Sequence, residues 1–123
     1  SYSRLVVVDN WIYVSNTAGR NPQTKLIPED ILEQTHQVFA NIEAALAAVD
    51  ASLADVVCSR VFIQDPKDVP AVMALIGEKF RGVDPASTVT CPPLGSTVYK
   101  VELEVTAYRN ASKAQVEVIR LSQ

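Results

Sequence analysis

The chain has 123 residues, 48% of them hydrophobic, and carries 11 Lys and Arg against 14 Asp and Glu for a net charge of −3 at pH 7. That length suits one domain able to hide roughly two thirds of its unfolded surface, and the acidic balance with scattered cations argues against tight binding to nucleic acid. Cys58 and Cys91 lie far apart, with no CxxC and no clustered His, which argues against a zinc or iron–sulfur site and places two thiols in a reducing compartment. With no apolar run near the ~20 residues of a bilayer span, the expectation is a cytoplasmic protein that needs neither membrane, metal nor organic cofactor.

Leu5–Val8 and Trp11–Ser15 read as two strands joined by a tight turn at Asp9-Asn10. Asn16 to Thr24 reads as loop. A helix is expected to begin at Pro28, with Glu29 and Asp30 in its first turn, and to run on through the apolar stripe Ile31, Leu32, Phe39, Ile42, Leu46 and Val49. Val56–Ile63 is a strand apolar on both faces, with Val57, Val61 and Ile63 on one and Val56, Cys58 and Phe62 on the other, closed by Gln64-Asp65-Pro66. A second helix is predicted over Val69–Phe80, with Val72, Leu75, Ile76 and Phe80 inward and Gly82 just past its end.

After a short Thr88–Cys91 segment comes the strand Lys100–Tyr108, in which Val101, Leu103, Val105 and Ala107 alternate with Glu102, Glu104 and Thr106. Val116–Ile119 reads as a weak final strand or an ordered tail. The result is an α+β chain of order β-β-α-β-α-β-β with two helices on one face of a single sheet. Two helices cover one face, so strands apolar on both sides predict a homo-oligomer in which the bare face packs on its copies, with sites in clefts between subunits. In such a sheet two carboxylates on one strand have little solvated surface to occupy, which singles out Glu102 and Glu104.

Tyr2-Ser3-Arg4, Trp11-Ile12-Tyr13-Val14-Ser15, the run Glu33-Gln34-Thr35 through Asn41-Ile42-Glu43-Ala44-Ala45-Leu46, and Pro85-Ala86 ahead of Val101-Glu102-Leu103-Glu104 together resemble the Rid family, the YjgF-like reactive-intermediate deaminases also called L-PSP endoribonuclease-like proteins. The resemblance runs from Tyr2 to about Tyr108. It implies a chorismate-mutase-like subunit assembled as a homotrimer, a single Rid-like domain over residues 1–110, and a C-terminal extension over 111–123. It also implies a catalytic Glu102 and a substrate-binding Tyr2 and Ser15.

The family's carboxylate-gripping arginine, directly after Pro-Ala, is here Ser87, and a helix-2 asparagine is Met73. A serine hydroxyl cannot replace a bidentate guanidinium, so Ser87 and the thiol of Cys91 are taken as parts of a more neutral substrate-binding cleft. The implied activity is hydrolysis of a small imine, enamine or related reactive metabolite other than the usual 2-imino acids. A non-catalytic trimer that binds a small molecule or partner in the same clefts is the alternative, and an endoribonuclease the weaker one.

The plainer readings are a structural ion pair for Arg60 with a glutamate, a solvated or paired Glu104, a surface or structural His36, and no nucleophilic role for Cys91, which has no neighbouring cation to lower its pKa.

Overall fold

Asp9, in the left-handed region at φ 52°, and Asn10 make the two-residue turn that joins β1 (Leu5–Val8) to β2 (Trp11–Ala18), with Val8 opposite Trp11. The structure, a computed structural model, describes residues 1–122. The remaining elements are α1 (Ile31–Ala47), β3 (Val56–Ile63), α2 (Val69–Lys79), β4 (Ala86–Thr90) and β5 (Val101–Tyr108), in the β-β-α-β-α-β-β order the sequence predicts. The five strands form one sheet in the order β1-β2-β5-β3-β4, antiparallel except for the β3–β4 pair, which α2 joins as a parallel crossover.

Both helices pack on one face. Ile12, Val14, Val61, Ile63, Val101, Leu103, Val105 and Ala107 meet Val38, Phe39, Ile42 and Leu46 of α1 and Val72 and Ile76 of α2 in one buried cluster. The opposite face carries exposed Val6, Val8, Trp11 and Tyr13, an apolar area of the kind that marks an interface.

Several elements depart from expectation for local reasons. Helix α1 starts at Ile31 and not at Pro28, because the Asp30 side chain accepts from the backbone N–H groups of Leu32 and Glu33 and so acts as N-cap. Leu32 points to solvent while Gln34 and Thr35 are buried. A one-residue irregularity between Val56 and Cys58 on β3 puts Val56, and not Val57, on the core face with Ser59 and Val61. Strand β4 covers Ala86–Thr90, which leaves Cys91 just beyond it. Val116–Ile119 forms no strand; past a short turn at Ala111–Lys113 the chain is exposed and without regular structure through Ser122. Among the described residues, no helix is long and apolar enough to cross a membrane.

Candidate functional site

The largest change from the sequence reading is at the end of β2. Asn16, Thr17 and Ala18, taken as loop, continue the strand through a β-bulge. Between Val14 and Thr17 three steps on β2 match two on β5, from Val105 to Leu103. The extra residue lets both Val14 and Thr17 face the core and turns Asn16 toward Glu102, which lies opposite Ala18. Strand β1 reaches only to Val14, with one more bond from the Ser15 N–H to the Arg4 carbonyl at 2.9 Å, so Asn16–Ala18 form an open sheet edge.

A cavity of about 730 Å³ occupies that edge. Asn16, Thr17, Ala18 and Glu102 form its floor, Tyr2 and Arg4 one wall, and Arg20 and Lys25 from the following loop another. Asn41, Ala44 and Ala45 of α1 close the side. The Asn41 amide donates to the carbonyls of Ala18 at 3.0 Å and Arg20 at 2.9 Å, which fixes the loop to the helix.

Among the described residues, Glu102 is the one acidic side chain lining this groove. Burial pushes its carboxyl above the ordinary carboxylate range, and the hydrogen bond that Asn16 Nδ2 donates to its Oε1 at 2.6 Å pulls it partly back. A carboxyl so placed, raised by burial and open to the groove, is a candidate for moving a proton. Glu104, two residues on, pairs with Arg60 at 3.7 Å as the plainer reading expects; the pair is largely exposed and contributes little stability.

Tyr2 lines the groove, and its hydroxyl accepts from Arg4 Nη2 at 3.2 Å. Ser15 does not line it. Its hydroxyl donates to the Ser3 carbonyl at 2.6 Å, which pins the N-terminal segment bearing Tyr2 and Arg4 against the bulge.

Ser87 lies elsewhere. It stands opposite the fully buried Ser59, its hydroxyl 2.7 Å from that of Ser59, on the side of the sheet that carries the helices. Glu102 aligns through Phe62 with Thr90 on the other side. Within one subunit Ser87 and Glu102 are therefore two strands apart and three residues out of line along them, about 14 Å, and on opposite faces. Cys91, exposed and unpaired, does not line the groove either, Met73 packs against the core, and His36 is exposed.

The sequence reading missed Asn16, because Ser15-Asn16-Thr17 reads as polar loop. It also missed Arg4, Arg20 and Lys25, because the N-terminal segment and the loop after β2 meet only at the edge that the short β1 leaves open.

A family model described as Endoribonuclease L-PSP matches residues 1–109. A 2-iminobutanoate/2-iminopropanoate deaminase of Dermatophagoides farinae is 34% identical over 105 residues, 84% of this chain and 81% of that protein. A RutC family protein of Pyrococcus abyssi is 34% identical over 110 residues, 88% of this chain and 86% of its own. Among solved structures, yeast Mmf1 superposes with a TM-score of 0.84 at 28% identity, covering 89% of this chain and 88% of that one, and the E. coli YjgF gene product with 0.82 at 27% identity, covering 89% of each.

Proposed function

The chain belongs to the L-PSP endoribonuclease family, that of the Rid proteins, and from that premise we propose that it hydrolyses a small imine or enamine at the Glu102 groove. The observation that carries this reading is the half-buried carboxyl of Glu102, raised in pKa, held by Asn16 and facing a cavity large enough for a small organic molecule. An imine carbon is already electrophilic, so the reaction asks for an oriented water and a group that shuttles protons. Glu102 takes a proton from water as the water oxygen bonds to the imine carbon and passes it to nitrogen to give the carbinolamine; it then takes the carbinolamine hydroxyl proton and delivers it to nitrogen as the carbon–nitrogen bond breaks. The balance is imine plus water to carbonyl plus ammonia.

The working site in this proposal is completed by a second copy. The bare sheet face with Val6, Val8, Trp11 and Tyr13 supports a homotrimer, in which the exposed β4 edge of one copy, with Ser87 and Cys91, borders the Glu102 groove of the next. That arrangement accounts for Ser87 and Glu102 lying apart within one subunit. Ser87 brings no charge to this border, so the small 2-imino acids named for the deaminase relatives would go without the family's usual carboxylate grip from β4.

The same substitution favours one other reading, a non-catalytic trimer that binds a small molecule in the clefts. The two separate on Glu102→Gln. Imines are generated with an amino acid oxidase, survivors are trapped as semicarbazones, and loss of accelerated decay in the variant supports hydrolysis. Decay no faster with wild-type protein than with buffer, across neutral and acidic imines, overturns the hydrolase reading.

A further inference from the structure

The chain is acidic overall, yet three of its 11 cations, Arg4, Arg20 and Lys25, line one groove beside a single carboxyl. Ion pairs elsewhere join Arg60 to Glu104, Lys67 to Asp65 and Arg120 to Asp84; among the described residues, none of the three groove cations has an acidic partner.

Among the described residues, Arg4 bonds only to neutral acceptors. Its Nη1 reaches the Asn16 carbonyl and the Thr17 hydroxyl, both at 3.3 Å, and its Nη2 the Tyr2 hydroxyl at 3.2 Å. These contacts hold the guanidinium in place while leaving its charge uncompensated. The second wall is also built. The Asn21 side chain accepts from the N–H groups of Gln23 at 2.9 Å and Thr24 at 3.0 Å, and the Lys25 N–H donates to the Asn21 carbonyl at 2.8 Å. Arg20 Nε donates to the Lys25 carbonyl at 3.3 Å, and Lys25 takes the left-handed backbone, φ 66°, that closes this loop. Three like charges converging on a concave, partly apolar site concentrate anions there, and Ala18, Pro22, Ala44 and Ala45 give an organic body something to rest against.

We infer that Arg4, with Arg20 and Lys25 beside it, is the anion holder of this groove, so that the ligand is an organic carboxylate whose charged end lies against the N-terminal segment and the 20–25 loop and not against β4. The inference rests on the proposed site for where the ligand reacts, but the anion grip is measurable without turnover. A guanidinium forks onto a carboxylate through two parallel N–H donors, and charge-assisted hydrogen bonds are about twice as strong as neutral ones. The charge that position 87 lacks is thus supplied from another element, which makes Arg4 a specificity residue of this chain.

The test is calorimetric titration of the full chain with 2-oxobutanoate and with its neutral amide, 2-oxobutanamide, neither of which presents an imine to hydrolyse. Wild-type protein should bind the acid at least about tenfold more tightly than the amide, with affinity falling as salt is raised. Arg4→Gln should weaken binding of the acid far more than that of the amide and so remove most of that preference; Arg4→Lys should retain a good part of it, and Lys25→Gln should lower it by a smaller factor. Equal binding of acid and amide by wild type, no binding of the acid, or an Arg4→Gln protein that still prefers the acid would overturn the inference. So would loss of amide binding in step with acid binding, since Arg4 would then shape the groove and not charge it. Hydrolysis without an Arg4-dependent anion preference would leave the hydrolase reading standing and end this one; the preference without hydrolysis would do the reverse.

Discussion

Gln34 is where removing one side chain should do most damage to the groove without touching it. It is fully buried, and its carboxamide makes four bonds: Nε2 donates to the carbonyls of Pro28 at 2.8 Å and Val98 at 3.0 Å, while Oε1 accepts from the N–H groups of Lys100 at 2.7 Å and Val101 at 3.2 Å. Gln34→Leu keeps the volume and removes all four. A net bond contributes about 0.5–1.5 kcal/mol, and a buried group left unpaired costs about 1–3 kcal/mol. The Val101 amide has no route to water, whereas Val98 is exposed and recovers a bond to solvent, so the loss should be about 3 kcal/mol, a large part of the about 5–15 kcal/mol of an ordinary domain. The denaturation midpoint by circular dichroism should fall accordingly. Hydrogen exchange at Lys100 and Val101 should accelerate, and imine hydrolysis should drop because Tyr99 and Glu102 flank the loosened segment. A loss below about 1 kcal/mol with both amides still protected would refute the reasoning, since it would mean that the backbone there is held by something other than Gln34.

Gly19→Ala should destabilise by about 1–3 kcal/mol, because an added Cβ would sit 2.5 Å from the Gln34 carbonyl oxygen and 2.7 Å from its Cγ; an unchanged melting temperature would contradict that. Asn16→Ala removes the bond that pulls the Glu102 pKa down, so the acid limb of the kcat/KM profile should move to higher pH, and an unmoved limb would separate Glu102 from the rate. Glu102 also links pH to stability. Its folded pKa is raised, so the folded state binds more protons than the unfolded one in the interval above the ordinary glutamate value, and stability should decline as pH rises through that interval. Glu102→Gln should flatten this decline. Sedimentation equilibrium at micromolar concentration should give three times the 13.4 kDa subunit mass, whereas a monomer would remove the second half of the proposed site.

The fold was legible wherever period alone decides structure. The alternation of Val101, Leu103, Val105 and Ala107 and the stripe of Phe39, Ile42 and Leu46 place these residues in the core, where they are found. What failed was the phase of strands that carry an irregularity. A single extra residue reverses which side chains face inward, and nothing in Val56-Val57-Cys58 or Ser15-Asn16-Thr17 marks where that residue sits. Buried polar residues were equally hidden: Gln34 lies inside a helix whose apolar stripe would exclude it, and its burial makes sense only once Pro28 and Val98 through Val101 are known to pass within hydrogen-bond reach.

The site shows the same division. Glu102 stood out because a carboxylate on a strand of a two-faced sheet has few places to go, and the fold supplies one, the edge that β1 leaves open. Its partners could not be read the same way, because Arg4, Asn16 and Lys25 owe their meeting to the length of β1, the bulge in β2 and the turn at Asn21, three features with no shared sequence signal. Position 87 was legible only as a substitution against a family pattern. Taken alone, Ser87 for arginine reads as a site that has lost its charge. Set beside Arg4, Arg20 and Lys25, it fits the inference that the charge lies on the N-terminal segment and the 20–25 loop instead of on β4, and a charge so relocated would change which ligands fit without abolishing the need for an anionic one.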